Sequence, residues 1–207
     1  MADSFGIPQL MDYLTQMGLR VANVDQKQEI IELAFHGNNG QWRMIINIQQ
    51  SDEVRKLMLI VPHISCVTAK KRLECLEALL AVNYHIAMGK FGLDLDDGEV
   101  RLEEAVPLAN SSITLEQFQL VFRAMMQTVA MYQSLIPRII YGNLTTQQAL
   151  EACEEDFLQE IENMQETTDD SGESKVMDAL TESECLPELD VHDVLAEVNR
   201  MFEERKE

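Results

Sequence analysis

An α+β fold, with helices packed on an antiparallel sheet, is what this 207-residue sequence predicts. Three observations carry that prediction. The first is a hairpin over residues 90–107: Phe91, Leu93 and Leu95 alternate with Gly92 and Asp94, the period of a half-buried strand. Asp96-Asp97-Gly98 follows with turn chemistry that tolerates positive φ. Val100 and Leu102 then alternate with Glu99, Arg101 and Glu103. The second is a run of three strand patterns joined by short polar turns over residues 29–61. The third is a pair of long helical patterns flanking the hairpin. Strand runs next to helix runs make the order α-β-β-β-α-β-β-α, a five-stranded antiparallel sheet packed by helices.

Each element has its local reason. Ile7, Leu10, Met11, Leu14 and Met17 recur at helical spacing, and Gly18 is suited to stop the helix. Glu29–His36 reads as a strand, with Gly37-Asn38-Asn39-Gly40 as its turn. Gln41–Gln49 is the next strand, placing Trp42, Met44, Ile46 and Ile48 on one face. Lys56–Val61 is the third, and Pro62 is expected to end it because proline has no N–H for the ladder. Thr68 opens a helix to about Met88, which Gly89 can terminate. Thr114 with Gln117 has capping-box spacing at the head of a helix bearing Phe118, Val121, Phe122, Met125, Val129 and Tyr132. Pro137 is expected to bend or end that helix.

Charge divides the chain. Residues 1–142 carry 16 acids and 12 bases, whereas residues 143–207 carry 20 acids and 4 bases. The expectation is a domain over 1–142 and an acidic extension over 143–207. In the extension a helix is expected over 146–165, a linker over 166–189 and an amphipathic helix over 190–204. A net charge of −20 argues against nucleic acid, whose recognition rests on Lys and Arg at phosphates. No apolar run reaches the roughly 20 residues of a membrane span, and residues 1–6 lack signal-peptide character. A cytoplasmic protein is expected, with Cys66, Cys75, Cys153 and Cys185 as reduced thiols.

Catalytic chemistry leaves no pattern. Asp94, Asp96 and Asp97 suggest a calcium loop, but the fifth position from Asp94 is Gly98 and the twelfth is Ala105, neither of which is a ligand. His36, His63, His85 and His192 lack metal-ligand spacing. His63 beside Cys66 is read as a strand-end histidine and a small buried cysteine, not as a nucleophile pair. No nucleophile elbow, phosphate loop or dinucleotide fingerprint occurs, so no cofactor and no metal are expected.

The element order, with Gly89-Lys90-Phe91-Gly92-Leu93-Asp94 and the turn Asp97-Gly98-Glu99-Val100, resembles the YbjN-like family over about residues 5–140. That family is similar in fold to the type III secretion chaperones, the Tir-chaperone-like fold. The resemblance implies a domain that is often dimeric and binds protein instead of performing chemistry.

The reading is a non-catalytic cytosolic protein-binding module, chaperone-like or an assembly or regulatory factor, acting as a homodimer. Client contact is expected at Leu10, Leu14 and Met17 with Trp42 and Met44. A rival reading is a scaffold or regulator whose tail docks on a partner, through Val194, Leu195, Val198 and Phe202. A small enzyme of unknown class is the third and least supported. Arg55, Lys56, Lys70, Lys71 and Arg72 are candidate contacts for the acidic tail; the last three crowd the first turn of a helix, where the macrodipole disfavours cations.

Overall fold

The structure of the protein, a computed structural model, describes residues 5–37, 40–51, 54–108, 112–169 and 188–190. In chain order it comprises α1 (Ile7–Gln16), β1 (Asn23–Asp25), β2 (Ile30–Gly37), β3 (Gly40–Ser51), β4 (Val54–Cys66), α2 (Arg72–His85), β5 (Lys90–Leu93), β6 (Glu99–Pro107), α3 (Leu115–Tyr132), α4 (Leu135–Ile140), α5 (Thr146–Asp169) and β7 (Glu188–Asp190). The α+β class and the predicted order hold. The sheet runs β1-β2-β3-β4-β6-β5, all antiparallel, and β7 joins β2 in parallel.

Two strands exceed the expected five. β1 spans only three residues of Asn-Val-Asp, too short for a period-2 signal, and it forms because the β2 edge offers it a ladder from Ile30 to Glu32. β7 takes the last two residues of the expected linker, Glu188 and Leu189, and also Asp190, where the expected last helix was to begin. The expected strand end at Pro62 is also corrected. β4 continues to Cys66 across a register shift between Val61 and Ser65, where His63 adopts φ 52°. The irregularity is what admits a proline that cannot donate to the ladder.

One face of the sheet is dry. Ile31, Leu33 and Phe35 of β2, Met44, Ile46 and Ile48 of β3, Leu57, Leu59 and Val61 of β4, and Val100 and Leu102 of β6 alternate into a single core. α1 adds Leu10 and Leu14, and α3 adds Phe118, Phe122, Met125, Met126 and Val129. Tyr13, Phe118, Phe122, Phe35 and Trp42 form a chain of rings; Phe35 stacks on Trp42 at 4.3 Å.

The helix ends follow from their sequences. Gly18, at φ +70°, closes α1 with its N–H on Thr15 O, while Leu19 N–H returns to Leu14 O, the paired bonds of a Schellman motif. The Thr114–Gln117 box forms as expected, with Gln117 N–H on Thr114 Oγ1 at 3.3 Å and Thr114 N–H on Gln117 Oε1 at 3.0 Å. The long helix breaks at Gln133–Ser134, ahead of Pro137. Pro137 has no N–H to bond the Gln133 carbonyl, so α4 restarts as a short separate turn. After Asn143, at φ 52°, α5 packs back against α2, α3 and α4, burying Ala149, Cys153 and Phe157.

Candidate protein-binding surfaces

The side chains expected to meet a client are largely interior. Leu10, Leu14, Met17 and Met44 are buried in the core, out of reach of anything on the surface. Their helical and strand periodicity marked the inward face, which periodicity alone does not distinguish from a recognition face. Trp42 is half-buried on Phe35, and its indole N–H has no hydrogen-bond partner among the described residues. Val194, Leu195, Val198 and Phe202, with residues 191–204 of the expected helix, lie outside the described residues, while Asp190 belongs to β7.

The basic positions do not gather. Arg55 pairs with Glu29 at 3.5 Å at the start of β4, and Lys56 follows it. Lys70, Lys71 and Arg72 lie beyond the other end of that 13-residue strand, roughly 40 Å away at ~3.3 Å per residue. Lys71 bonds Glu74 at 3.4 Å, one turn on in its own helix. Of the expected tail, Glu188–Asp190 pairs with β2.

What sequence reasoning missed is the outward face of α2. Its inward face buries Cys75, Ala78, Leu79 and Val82. Its outward face exposes Leu73 at 77%, Leu76 at 38%, Leu80 at 71% and Tyr84 at 86%. Both faces are apolar, so the pattern does not show which of them stays uncovered. The spacing of three, four and four residues is that of a narrow seam, as in paired helices.

The two sheet edges are finished differently. At β5 the edge is sealed by a side chain: the Asn83 amide of α2 donates to Phe91 O at 2.9 Å and accepts from Phe91 N at 2.7 Å, mimicking a neighbouring strand. Lys90 Nζ donates to the Asn83 and Ile86 carbonyls and completes that seal. At β2 the edge is covered by β1 over Ile30–Glu32 and by β7 over Ala34–His36. A cleft of about 280 Å³ flanks the second half, lined by Ala34, Phe35, Gln41, Trp42, Arg43, Pro62 and His63.

No reactive constellation accompanies these surfaces among the described residues. His63 Nδ1 lies 3.3 Å from Glu99, and Cys66, exposed and not buried as expected, contacts Asp97 O through Sγ at 3.5 Å, so each has a partner other than the other. Burial pushes the Cys75 and Cys153 thiols up, away from the nucleophilic thiolate. No three His, Cys, Asp or Glu converge on a common point among the described residues. No helix there is long and apolar enough to cross a membrane.

Tyr132 ties α3 to α5. Its hydroxyl donates to Glu154 at 3.0 Å, and burial, with that bond second, holds its pKa well above the ordinary 10.0. The native state therefore keeps a proton that the unfolded chain loses above pH 10, so stability falls as pH rises past that point. The expected slope is up to about 1.4 kcal/mol per pH unit from this group alone. Urea midpoints at pH 9, 10 and 11 check it: Tyr132→Phe lowers stability at neutral pH and flattens the alkaline decline. An unchanged slope in the variant would assign that decline elsewhere.

A one-sided sheet with helical cover, an exposed helical seam and two differently closed edges defines an α+β domain. The family model described as "YbjN: Putative bacterial sensory transduction regulator" matches residues 8–137. This chain belongs to the YbjN family. No curated protein matches it. Among solved structures, "Crystal structure of YbjN, a putative transcription regulator from E. coli" is similar at 16% identity and a TM-score of 0.46, covering 67% of this chain and 94% of that one.

Proposed function

We propose that the chain is a non-catalytic cytoplasmic protein-binding module, a homodimer that works as a chaperone-like or regulatory factor in the manner of the type III secretion chaperones. The observation that carries this reading is the exposed seam of α2. The occupant is a second copy of the chain. In an antiparallel pair with its twofold axis near Ala78, Leu73 faces Tyr84 of the second copy and Leu76 faces its Leu80, so the stripe complements itself. Two sets of four such side chains contribute at most about 12–24 kcal/mol at ~1.5–3 each. Association costs about 4–15 kcal/mol, so the seam is large enough for a dimer at micromolar concentration. The family's description as a regulator of sensory transduction fits a domain that acts by binding protein.

Light scattering and sedimentation at about 10 μM test the proposal. The expected mass is twice 23.6 kDa. Leu80→Glu places two like charges in the seam and is expected to weaken the dimer about 100-fold or more, with unchanged far-UV circular dichroism. A wild-type monomer, or a Leu80→Glu dimer of undiminished strength, overturns the homodimer.

The rival reading, a regulator whose tail is the working part, is favoured by one feature, the engagement of Glu188–Asp190 with the sheet. Partner binding that disappears with residues 166–207 supports the rival; binding that persists supports the first.

A further inference from the structure

We infer that the half of the β2 edge beyond β1, Ala34–His36, is a strand-accepting site for an extended protein segment with an apolar residue between two acids, and that the chain's own Glu188-Leu189-Asp190 occupies it in cis as a competitor. The inference rests on the reading of the chain as a protein-binding module and locates its client site.

Four observations converge on this edge. β1 covers β2 only as far as Glu32, with Ala22 N–H on Glu32 O as the last bond, so Ala34–His36 has no strand neighbour on that side except β7 among the described residues. The pairing is parallel and in clean register, Ala34 with Glu188, Phe35 with Leu189 and His36 with Asp190. It brings together residues more than 150 positions apart in the chain, and 18 residues separate it from the end of α5. That stretch can span at most about 65 Å, ample for the tail to reach the edge and to leave it.

The third observation is the contrast between edges. At β5 the ladder is closed by a side chain of the domain itself, whereas at β2 it is closed by three residues of the tail. An edge left to a short, remote segment is one where another segment can pair by the same main-chain bonds. Hydrogen bonds contribute about 0.5–1.5 kcal/mol each, so three residues make an exchangeable plug and not a permanent strand.

The fourth concerns specificity. Arg43 is the β3 neighbour of Ala34, and it lines the adjacent cleft with His63 and Trp42. The Arg43 cation beside Ala34 suits an acid at the register position of Glu188.

A fluorescein-labelled peptide of residues 184–195 tests the inference on the full-length protein. Successive strand N–H groups point to opposite sides, so one of Leu189→Pro and Asp190→Pro removes a donor to β2. At least one of them is expected to bind the peptide about tenfold or more tighter than wild type, because the competitor tethered at millimolar effective concentration is gone. His36→Cys with Asp190→Cys supplies the locked state, since strand neighbours ~4.8 Å apart lie within disulfide range. Oxidation is expected to cross-link within one chain and to abolish peptide binding, and reduction to restore it. Equal affinity of wild type and both proline variants, no binding by any of them, or a cross-link formed only between chains overturns the inference. Peptide affinity reads this edge and dimer mass reads the α2 seam, so each idea can fail without the other.

Discussion

Replacing Phe122 with alanine lowers the stability of this domain by about 3–5 kcal/mol. Phe122 is fully buried, and its ring meets Phe118 at 6.0 Å on one side and Phe35 at 6.5 Å on the other. It is thereby the link between α3 and the dry face of the sheet. Removing the ring takes away its transfer free energy and leaves a cavity walled by α3 and β2, which cannot close without breaking the strand register that holds Phe35. Domains of this size are stable by about 5–15 kcal/mol, so the variant sits near the threshold of folding. Leu120→Ala is the internal control. That side chain is 49% exposed on the same helix, and its loss is expected to cost under about 1 kcal/mol. Urea unfolding followed by circular dichroism separates the two, and similar midpoints for both variants would mean that the ring chain does not hold the layers together.

Gly98→Ala destabilises the domain by about 2–4 kcal/mol, whereas Gly18→Ala costs about 1–2. Both glycines have positive φ, +82° and +70°, a region that disfavours any residue with a Cβ by about 1–2 kcal/mol. They differ in what surrounds them. Around Gly18 the added carbon meets nothing within 4 Å. At Gly98 it would stand 2.4 Å from the Val67 carbonyl oxygen, which belongs to backbone and cannot swing away. The loop has to move, and the move breaks the 2.8 Å bond from Val67 N–H to Gly98 O that fastens the hairpin turn to the end of β4. An unmet backbone pair adds about 1–3 kcal/mol to the φ cost. Equal losses at the two glycines would show that the turn yields without that bond.

The hairpin was legible in residues 90–107 because both of its signals are local. Alternation assigns Phe91, Val100 and Leu102 to the dry face, and Asp97-Gly98 assigns the turn. Asp94 and Asp97 also had a local reading. Their carboxylates accept from Asp96 N at 2.8 Å and Glu99 N at 2.9 Å, the bonds of a turn. The candidate site was legible only in part. Leu10, Leu14 and Met44 stood out for the period that sends them inward. Leu73, Leu80 and Tyr84 did not stand out, because a helix apolar on both faces has no moment to show which face remains uncovered.

By itself the sequence determined the order of the longer elements from α1 to α3, the caps of α1 and α3, the hairpin turn and the concentration of acid in the last third. Each depends on neighbours within a few positions, where backbone geometry and short-range hydrogen bonding decide. Only the tertiary structure decided that β4 runs past Pro62, that α5 lies back on α2, α3 and α4, and that Glu188–Asp190 joins β2. Those outcomes depend on a bulge, a packing surface and an open sheet edge, each built from residues far apart in the chain. A three-residue Glu-Leu-Asp segment has too little strand preference of its own to announce such a place; the ladder it completes belongs to the other end of the sequence.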